Sequence, residues 1–206
     1  MLNALGLIVP LAFASGVNLY ATVGVLGLCS HYGLVSLPEQ LRVFDNPIII
    51  SAALGMYLVE FVADKIPWFD SLWDAVHTVV RPLGGALIAV TALGEASPAA
   101  NALVALLGGS IAMTTHLGKA GTRAAANTSP EPFSNWLLSL GEDVLAVGIS
   151  YGALQHPMAA LSVAIVLLIV IVLFASMILR FVRRRFRRMR AAYSSSEGSA
   201  PNRTWS

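Results

Sequence analysis

A continuous run of 22 residues, from Met158 to Leu179, contains no charged side chain. At a rise of about 1.5 Å per residue, a helix of this length crosses a hydrocarbon core about 30 Å thick. A soluble helix of the same length would keep a polar face toward water. The run therefore predicts an integral membrane protein in contact with the lipid bilayer. The composition agrees, because 12% of the 206 residues are charged, which is about half the share in an ordinary soluble domain.

Other apolar runs predict an all-α fold, a polytopic bundle of about six transmembrane helices. The predicted spans are 5–29, 47–63, 73–94, 99–118, 134–154 and 157–180. Pro10 and the stretch "SGVN" interrupt the first span, which is interpreted as retained because no basic region precedes it. The short connections "GEASP" and "QHP" predict antiparallel hairpins. The chain is thus divided into a transmembrane domain, 1–180, and a tail, 181–206.

The tail carries the charge that orients the protein. Residues 180–206 hold eight basic residues and one acidic residue, a net charge of +7, whereas residues 1–179 have a net charge of −5. Seven arginines lie between Arg180 and Arg190, and the positive-inside rule predicts that this segment is cytoplasmic. Directly after a membrane span, such a run is expected to contact anionic lipid headgroups and no nucleic acid. An even span count then places both termini on the cytoplasmic side, and the predicted location is a bacterial inner membrane. The Ser-rich stretch from residue 191 onward is predicted to be disordered.

Polar residues recur at spacings of three and four at four predicted span ends, which places each set on one helical face. The sets are Tyr57, Glu60 and Asp64; Asp70, Asp74, His77 and Arg81; His116, Lys119 and Arg123; and Asn135, Ser139 and Glu142, with Asp143 adjacent. A charge facing lipid costs about 2.5–3.5 kcal/mol near a helix centre. We therefore expect the four faces to turn inward and form a buried network of acidic and basic side chains, with Lys65 as a further candidate cation.

A weak internal repeat supports this pairing. With an offset of 59 residues, "SAALGMYLVEFVAD" aligns with "SIAMTTHLGKAGTR". Glu60 then corresponds to Lys119, and Asp64 to Arg123. Two such helical hairpins in tandem, facing each other, would pair acid with base.

The first span contains the polar residues Asn18 and Tyr20 among glycines. Broken helices in transporters offer backbone groups to a solute. The same residues also fit a close-packing surface in which Asn18 bonds to a neighbouring helix. Both interpretations stay open.

Three long blocks carry a resemblance to a known family: "SGVNLYATVGVLGL", "EFVADKIPWFDSLWDAVHTVVRPLGGAL" and "HLGKAGTRAAANTSPEPFSNWLLSLGEDVLA". Across roughly residues 5–175 the chain resembles a bacterial integral membrane family catalogued as domain of unknown function 4126. The resemblance implies a multi-span membrane protein without an assigned activity. It supplies no catalytic residues to carry over to this chain, and the cofactor stays unknown.

Three functions are open. A transporter, channel or flippase is favoured, with a small polar or anionic solute that the basic residues of the network could hold. The charges could instead serve a structural or accessory role by holding the bundle in register. A metal-dependent membrane enzyme would use Asp70, Asp74 and His77 as ligands, but no established catalytic motif is present, which disfavours an enzyme. A homo-oligomer is left open.

Overall fold

A computed structural model describes residues 2–126 and 132–198; for residues 2, 67, 132, 134, 182 and 184–198 it describes the backbone alone. The helices are α1 (Leu2–Val17), α2 (Leu19–His31), α3 (Pro47–Ala63), α4 (Pro67–Leu93), α5 (Pro98–Ala126), α6 (Pro132–Gln155) and α7 (Pro157–Gly198). A 3₁₀ helix, Glu39–Asp45, precedes α3, and no strand occurs in the described residues. The predicted all-α fold is confirmed.

The number of membrane spans differs from the prediction. Four helices, α4 to α7, are long and apolar enough to cross a bilayer. A fifth span results if the 3₁₀ helix and α3, which meet at 65°, are counted together. The predicted count of about six is not confirmed, because α1 and α2 are short apolar helices of 16 and 13 residues separated at Asn18. The predicted break in the first span thus lies at "SGVN", while Pro10 lies inside α1.

Local sequence signals explain where the helices begin. Proline occupies the first position of α3 and of α4, where its missing N–H would have no helical partner. Asn46 also caps α3, since its Oδ1 accepts a hydrogen bond from the backbone N–H of Ile48 at 2.8 Å. α4 begins at Pro67 and α5 ends at Ala126, so both helices extend beyond the predicted apolar spans, 73–94 and 99–118. The extensions carry the polar faces, which are helical as their spacing predicts.

α1 is the central helix of the bundle. Its side chains from Ile8 to Val17 are almost all buried, and it packs against α4, α5 and α6. α2 packs against α3 and α6. Although α1 is too short to cross a bilayer as a straight helix, its position at the centre lets it contact the faces that carry the polar residues.

Burial is inverted relative to a soluble protein. On α4 and α5, Leu83, Leu87, Leu103 and Leu106 are more than half exposed, whereas Arg81 on α4 is fully buried. In a soluble protein, a surface of exposed leucines would mark an interaction site. In a membrane protein, it is the surface expected to contact the lipid tails. The fold therefore places the protein in a membrane.

Two compact units divide the chain, Met1–Ile169 and Val170–Ser206. In the described part of the second unit, α7 continues as a helix through the arginine run to Gly198. The candidate membrane span within α7, Pro157–Phe181, agrees with the predicted span 157–180. The division of the chain at residue 180 and the disorder from residue 191 stay predictions. Residues 199–206 of the predicted tail, and residues 127–131 of a predicted loop, lie outside the described residues.

Small residues allow α4 and α5 to pack with their backbones in close contact. A β-carbon placed on Gly108 would overlap the Cβ of Ala89 and lie 2.7 Å from the carbonyl oxygen of Gly85. A β-carbon on Gly85 would overlap the Cβ of Ala112. Gly85 and Ala89 are four residues apart, as are Gly108 and Ala112, which is the small-residue pattern typical of membrane helix pairs.

We expect Gly108→Ala to lower the stability of the protein by about 1–3 kcal/mol, because overpacking a tight interface forces backbone shifts. The matched control is Gly55→Ala, since a β-carbon there meets nothing within 4 Å. The measurement is the apparent unfolding temperature of both variants in detergent, followed by size-exclusion chromatography after heating. Equal unfolding temperatures for the two variants would contradict the close packing of α4 and α5.

Candidate functional site

The four polar faces meet at one end of the bundle. The C-terminal ends of α3 and α5 and the N-terminal ends of α4 and α6 supply them. We define the charge network as Glu60, Asp64, Asp70, Asp74, Arg81, Lys119, Arg123, Glu142 and Asp143. All are buried except Glu142, whose side chain is 12% exposed. His77, His116, Asn135 and Ser139 are buried with them. The structure therefore brings together the charged residues on which the sequence-based site prediction rests.

Glu60 lies at the centre of the network and is fully buried. Its Oε1 accepts hydrogen bonds from Nη2 of Arg81 at 2.6 Å and from Nζ of Lys119 at 3.1 Å. The same Lys119 ammonium lies 3.5 Å from Asp64 and 3.4 Å from Glu142. Lys119 thus lies within 3.5 Å of three carboxylates, and Glu60 on α3 links it to Arg81 on α4.

Arg123 uses all of its donors within the protein. Its Nε and Nη2 donate to the Glu142 carboxylate, with the shortest contact at 2.8 Å, and Nη2 also donates to Oδ2 of Asp64 at 2.5 Å. Its Nη1 donates to the backbone carbonyls of Asp64 at 3.0 Å and Asn135 at 3.4 Å. Because a guanidinium has five N–H groups, no donor of Arg123 is left for a ligand.

The repeat in the sequence corresponds to contacts in space. Glu60 and Lys119 are in contact, as are Asp64 and Arg123, and each pair is separated by 59 residues. Acidic side chains of α3 therefore face basic side chains of α5 in the register that the offset predicts.

His116 is neutral, and its geometry identifies the tautomer. Its Nδ1 lies 2.9 Å from Nη1 of Arg81, and arginine has no acceptor, so Nδ1 must accept. The proton therefore lies on Nε2, which is 3.1 Å from the carbonyl oxygen of Asp74 and 3.1 Å from Oγ1 of Thr78. Thr78 in turn donates to the Asp74 carbonyl at 2.9 Å. This chain of hydrogen bonds links α4 to α5.

His77 joins the network to the second helix. Its Nδ1 donates to the backbone carbonyl of Trp73 at 2.8 Å, and its Nε2 lies 3.1 Å from the hydroxyl of Tyr20. The Trp73 ring stacks on the imidazole at 4.6 Å. Tyr20, one of the two polar residues predicted for the first span, is therefore a partner of the site.

The break between α1 and α2 also joins the site. Asn18 caps α2 by accepting from the N–H of Ala21 at 2.9 Å, and its Nδ2 donates to Oδ1 of Asp143 at 3.0 Å. The hydroxyl of Tyr57 donates to Oδ2 of Asp143 at 3.2 Å. Asn18 thus caps α2 at the break and bonds to the neighbouring helix α6, as the packing interpretation expects. That the break offers backbone groups to a solute stays a prediction.

Two groups in the site were missed from the sequence. The carbonyl oxygen of Gly16, in the last turn of α1, accepts from Nη1 of Arg81 at 3.1 Å. A broken helix leaves such carbonyls without helical partners, so the break itself was the signal. Thr78 carried no comparable signal, because a threonine four residues after Asp74 is ordinary in a helix.

Lys65 does not join the network. Its ammonium donates to the carbonyl of Phe61 at 2.8 Å and lies over the Phe61 ring. Partial burial lowers the pKa of Lys65, which lies in the turn between α3 and α4. The expectation that Lys65 adds a cation to the ion pairs is therefore wrong.

The three candidate metal ligands do not form a metal shell. In the described parts of the chain, no group of three or more His, Cys, Asp or Glu side chains has an arrangement that could hold a metal ion. Asp70, Asp74 and His77 share a helical face, but both ring nitrogens of His77 are engaged elsewhere. Asp70 and Asp74 instead line a pocket of about 260 Å³ between α4 and α5.

Buried charges, exposed leucines and helices long enough to cross a bilayer define an integral membrane protein of the helical class. The chain belongs to the family described as "Domain of unknown function (DUF4126)", whose model matches residues 5–177. The comparisons with curated proteins and with solved structures give no match.

Exchanging the charges of Glu60 and Lys119 is not expected to restore stability lost in either single reversal. In the double variant Glu60→Lys with Lys119→Glu, the new lysine would face Arg81, and the new glutamate would face Asp64 and Glu142. Breaking a buried ion pair costs about 3–5 kcal/mol of stability. The double variant does not recover this loss, because Arg81, Asp64 and Glu142 would each face a like charge.

The apparent unfolding temperature in detergent measures this effect, with Glu95→Lys, at an exposed position, as the control for charge reversal. Recovery of the wild-type unfolding temperature in the double variant would show that Glu60 and Lys119 act as an isolated pair.

The tautomer of His116 is open to direct measurement. In protein labelled with ¹⁵N at histidine and held at neutral pH, we expect the Nε2 of His116 to carry a proton and its Nδ1 to carry none. The signal is assigned by its loss in His116→Gln, and the exposed His156 serves as the reference. A doubly protonated ring, or a proton on Nδ1, would contradict the acceptor role of His116 toward Arg81.

Proposed function

We propose that this membrane protein is a transport protein, and that the charge network forms part of the path of a small polar solute. The network holds six carboxylates and three cations, so its formal charge is −3 when every carboxylate is ionised. A network that served packing alone would be expected to balance its charges, because an unpaired buried charge is costly. The excess of carboxylates suits a site that exchanges protons or solute.

Unsatisfied carboxylate oxygens are the observation that carries the proposal. Oε2 of Glu60, Oδ1 of Asp64 and Oδ1 of Asp74 are buried and accept no hydrogen bond from any described residue. Buried polar atoms in static cores are nearly always paired. Oxygens of this kind are available to a solute or a proton that enters the network.

The helix break supports the same function. Asn18, at the junction of α1 and α2, contacts Asp143, and the Gly16 carbonyl contacts Arg81. Movement at the break would therefore change contacts of two network residues at once. Transporters use discontinuous helices at their solute sites in this manner.

A structural role is the second candidate, and a specific observation favours it. The pairs Glu60–Lys119 and Asp64–Arg123 join α3 to α5 in one register, and a buried ion pair can fix how helices align. In that case the network would hold the bundle together without any solute.

The setting proposed for this function follows from the sequence. In this proposal, the arginine run, Arg180–Arg190, lies in the cytoplasm by the positive-inside rule and contacts anionic headgroups of a bacterial inner membrane. Both termini are cytoplasmic in this proposal. Among the side chains of the run that the structure describes, Arg180 and Arg183 are exposed, which supports contact with headgroups.

Transport is tested by solute-evoked currents in proteoliposomes on a solid-supported membrane. The solutes are sodium and potassium chloride, alkylammonium chlorides, sodium acetate and sodium phosphate. We expect a current with at least one solute and a loss of about tenfold or more in Asp74→Asn, because the neutral amide removes the charge that holds the solute. Glu95→Gln, an equally conservative change at an exposed position, should keep the current.

Absence of current with every solute, from correctly inserted wild-type protein, would contradict transport and favour the structural role. A current that Asp74→Asn leaves unchanged would show transport by a path outside the network.

A further inference from the structure

The pocket between α4 and α5 has its own chemistry. Its volume of about 260 Å³ is several times the ~30 Å³ share of one water molecule, and it is smaller than a typical drug-sized site. Asp70 lies in the first turn of α4 and Arg123 in the last turn of α5, so the pocket lies near the ends of both helices. A small molecule could reach it from the aqueous side without crossing the bilayer.

Asp74 gives the pocket an available negative charge. The residue is 7% exposed, and its Oδ1 accepts no hydrogen bond from any described residue. Arg81 lies 4.0 Å from this oxygen, beyond hydrogen-bond distance. A buried carboxylate with free acceptor capacity is a strong site for a charged donor.

The basic residue in the pocket wall has no capacity for an anion. Arg123 lines the pocket, but all five of its N–H groups donate to Asp64, Asn135 and Glu142. Lys119 is also engaged, with three carboxylates around its ammonium. An anion entering the pocket would therefore meet the carboxylates of Asp70 and Asp74, and the one basic side chain among the described wall residues, Arg123, has no donor left for it.

The rest of the wall combines two hydroxyl residues with three small apolar ones. Ser71 and Thr78 line the pocket together with Ala75, Ala120 and Ala124. The three alanines offer apolar contact to a short alkyl group. A bare alkali ion would leave these methyl groups and most of the volume without a contact. It would also lack a shell of three ligating side chains in the described residues. A primary ammonium needs two or three acceptors at one end and tolerates apolar contact along its chain.

We infer that this pocket binds a small organic ammonium ion. The ammonium donates to Asp74, Asp70 supplies a second negative charge, and the alkyl part lies against the three alanines. The site revises the expectation of an anionic solute. As a statement about a transported solute it rests on the proposed function, whereas binding itself can be measured without transport.

The test uses the full-length protein in detergent and propylammonium chloride as the probe, titrated by isothermal calorimetry at constant ionic strength. Sodium chloride, potassium chloride and sodium phosphate are the comparison solutes. We expect propylammonium to bind and Asp74→Asn to weaken its affinity about tenfold or more, since a charge-assisted hydrogen bond is lost. Glu95→Gln should bind as the wild type does.

A second variant keeps the inference falsifiable if Asp74→Asn fails to fold. Ala124→Leu places a larger side chain at an exposed position of the pocket wall and leaves every charge in place. It should weaken propylammonium binding, while Gly121→Leu should not, because a β-carbon at this position of the same helix meets nothing within 4 Å. Equal binding in both leucine variants would overturn the assignment of the pocket.

Other outcomes separate the inference from the proposed function. No propylammonium binding by the wild type, or equal or tighter binding of sodium, potassium or phosphate, would overturn the ammonium assignment, even if another solute evokes a current. Propylammonium binding that depends on Asp74, without a current from any solute, would keep the site and contradict transport.

Discussion

The structure depends on one constraint, which is that charged side chains on helices surrounded by lipid must find partners inside the bundle. Glu60 is fully buried and shares one carboxylate oxygen between Arg81 and Lys119. Removing either partner would leave a charge in a low-dielectric interior, where the cost is several kcal/mol. The four polar helix faces therefore have to meet, and the outer faces are left to leucine.

Close helix packing makes this meeting geometrically feasible. Gly85 and Gly108 remove side-chain bulk between α4 and α5, so that Arg81 and His116 on the two helices come within 2.9 Å. α1 then fills the centre, and its last turn ends where the Gly16 carbonyl reaches Arg81. The close glycine contact between α4 and α5 thus allows the hydrogen bonds that Arg81 makes one turn away.

The network is asymmetric in a manner that has chemical consequences. All donors of Arg123 are engaged by protein oxygens, and the Lys119 ammonium lies within 3.5 Å of three carboxylates. In the described residues, one basic donor, Nε of Arg81, has no hydrogen-bond partner, whereas several carboxylate oxygens have none. Such a site can accept protons or cationic donors more readily than it can accept an anion. The presence of arginine and lysine in a membrane site is therefore not sufficient evidence for an anionic solute, since what matters is which donors stay free.

The amino-acid sequence by itself determined the membrane class, the helical fold and which residues share a face, because hydropathy and spacings of three and four are local properties of a chain. It also predicted the register of Glu60 with Lys119 and of Asp64 with Arg123, since a repeat of 59 residues places equivalent helix positions opposite each other. Tertiary structure alone decided that α1 lies at the centre of the bundle. It also decided that Lys65 turns to Phe61, and that the donors of Arg123 are all used while Asp74 keeps an acceptor. These facts depend on which side chains arrive within 3 Å of each other, and that depends on helix packing distances that no local pattern encodes.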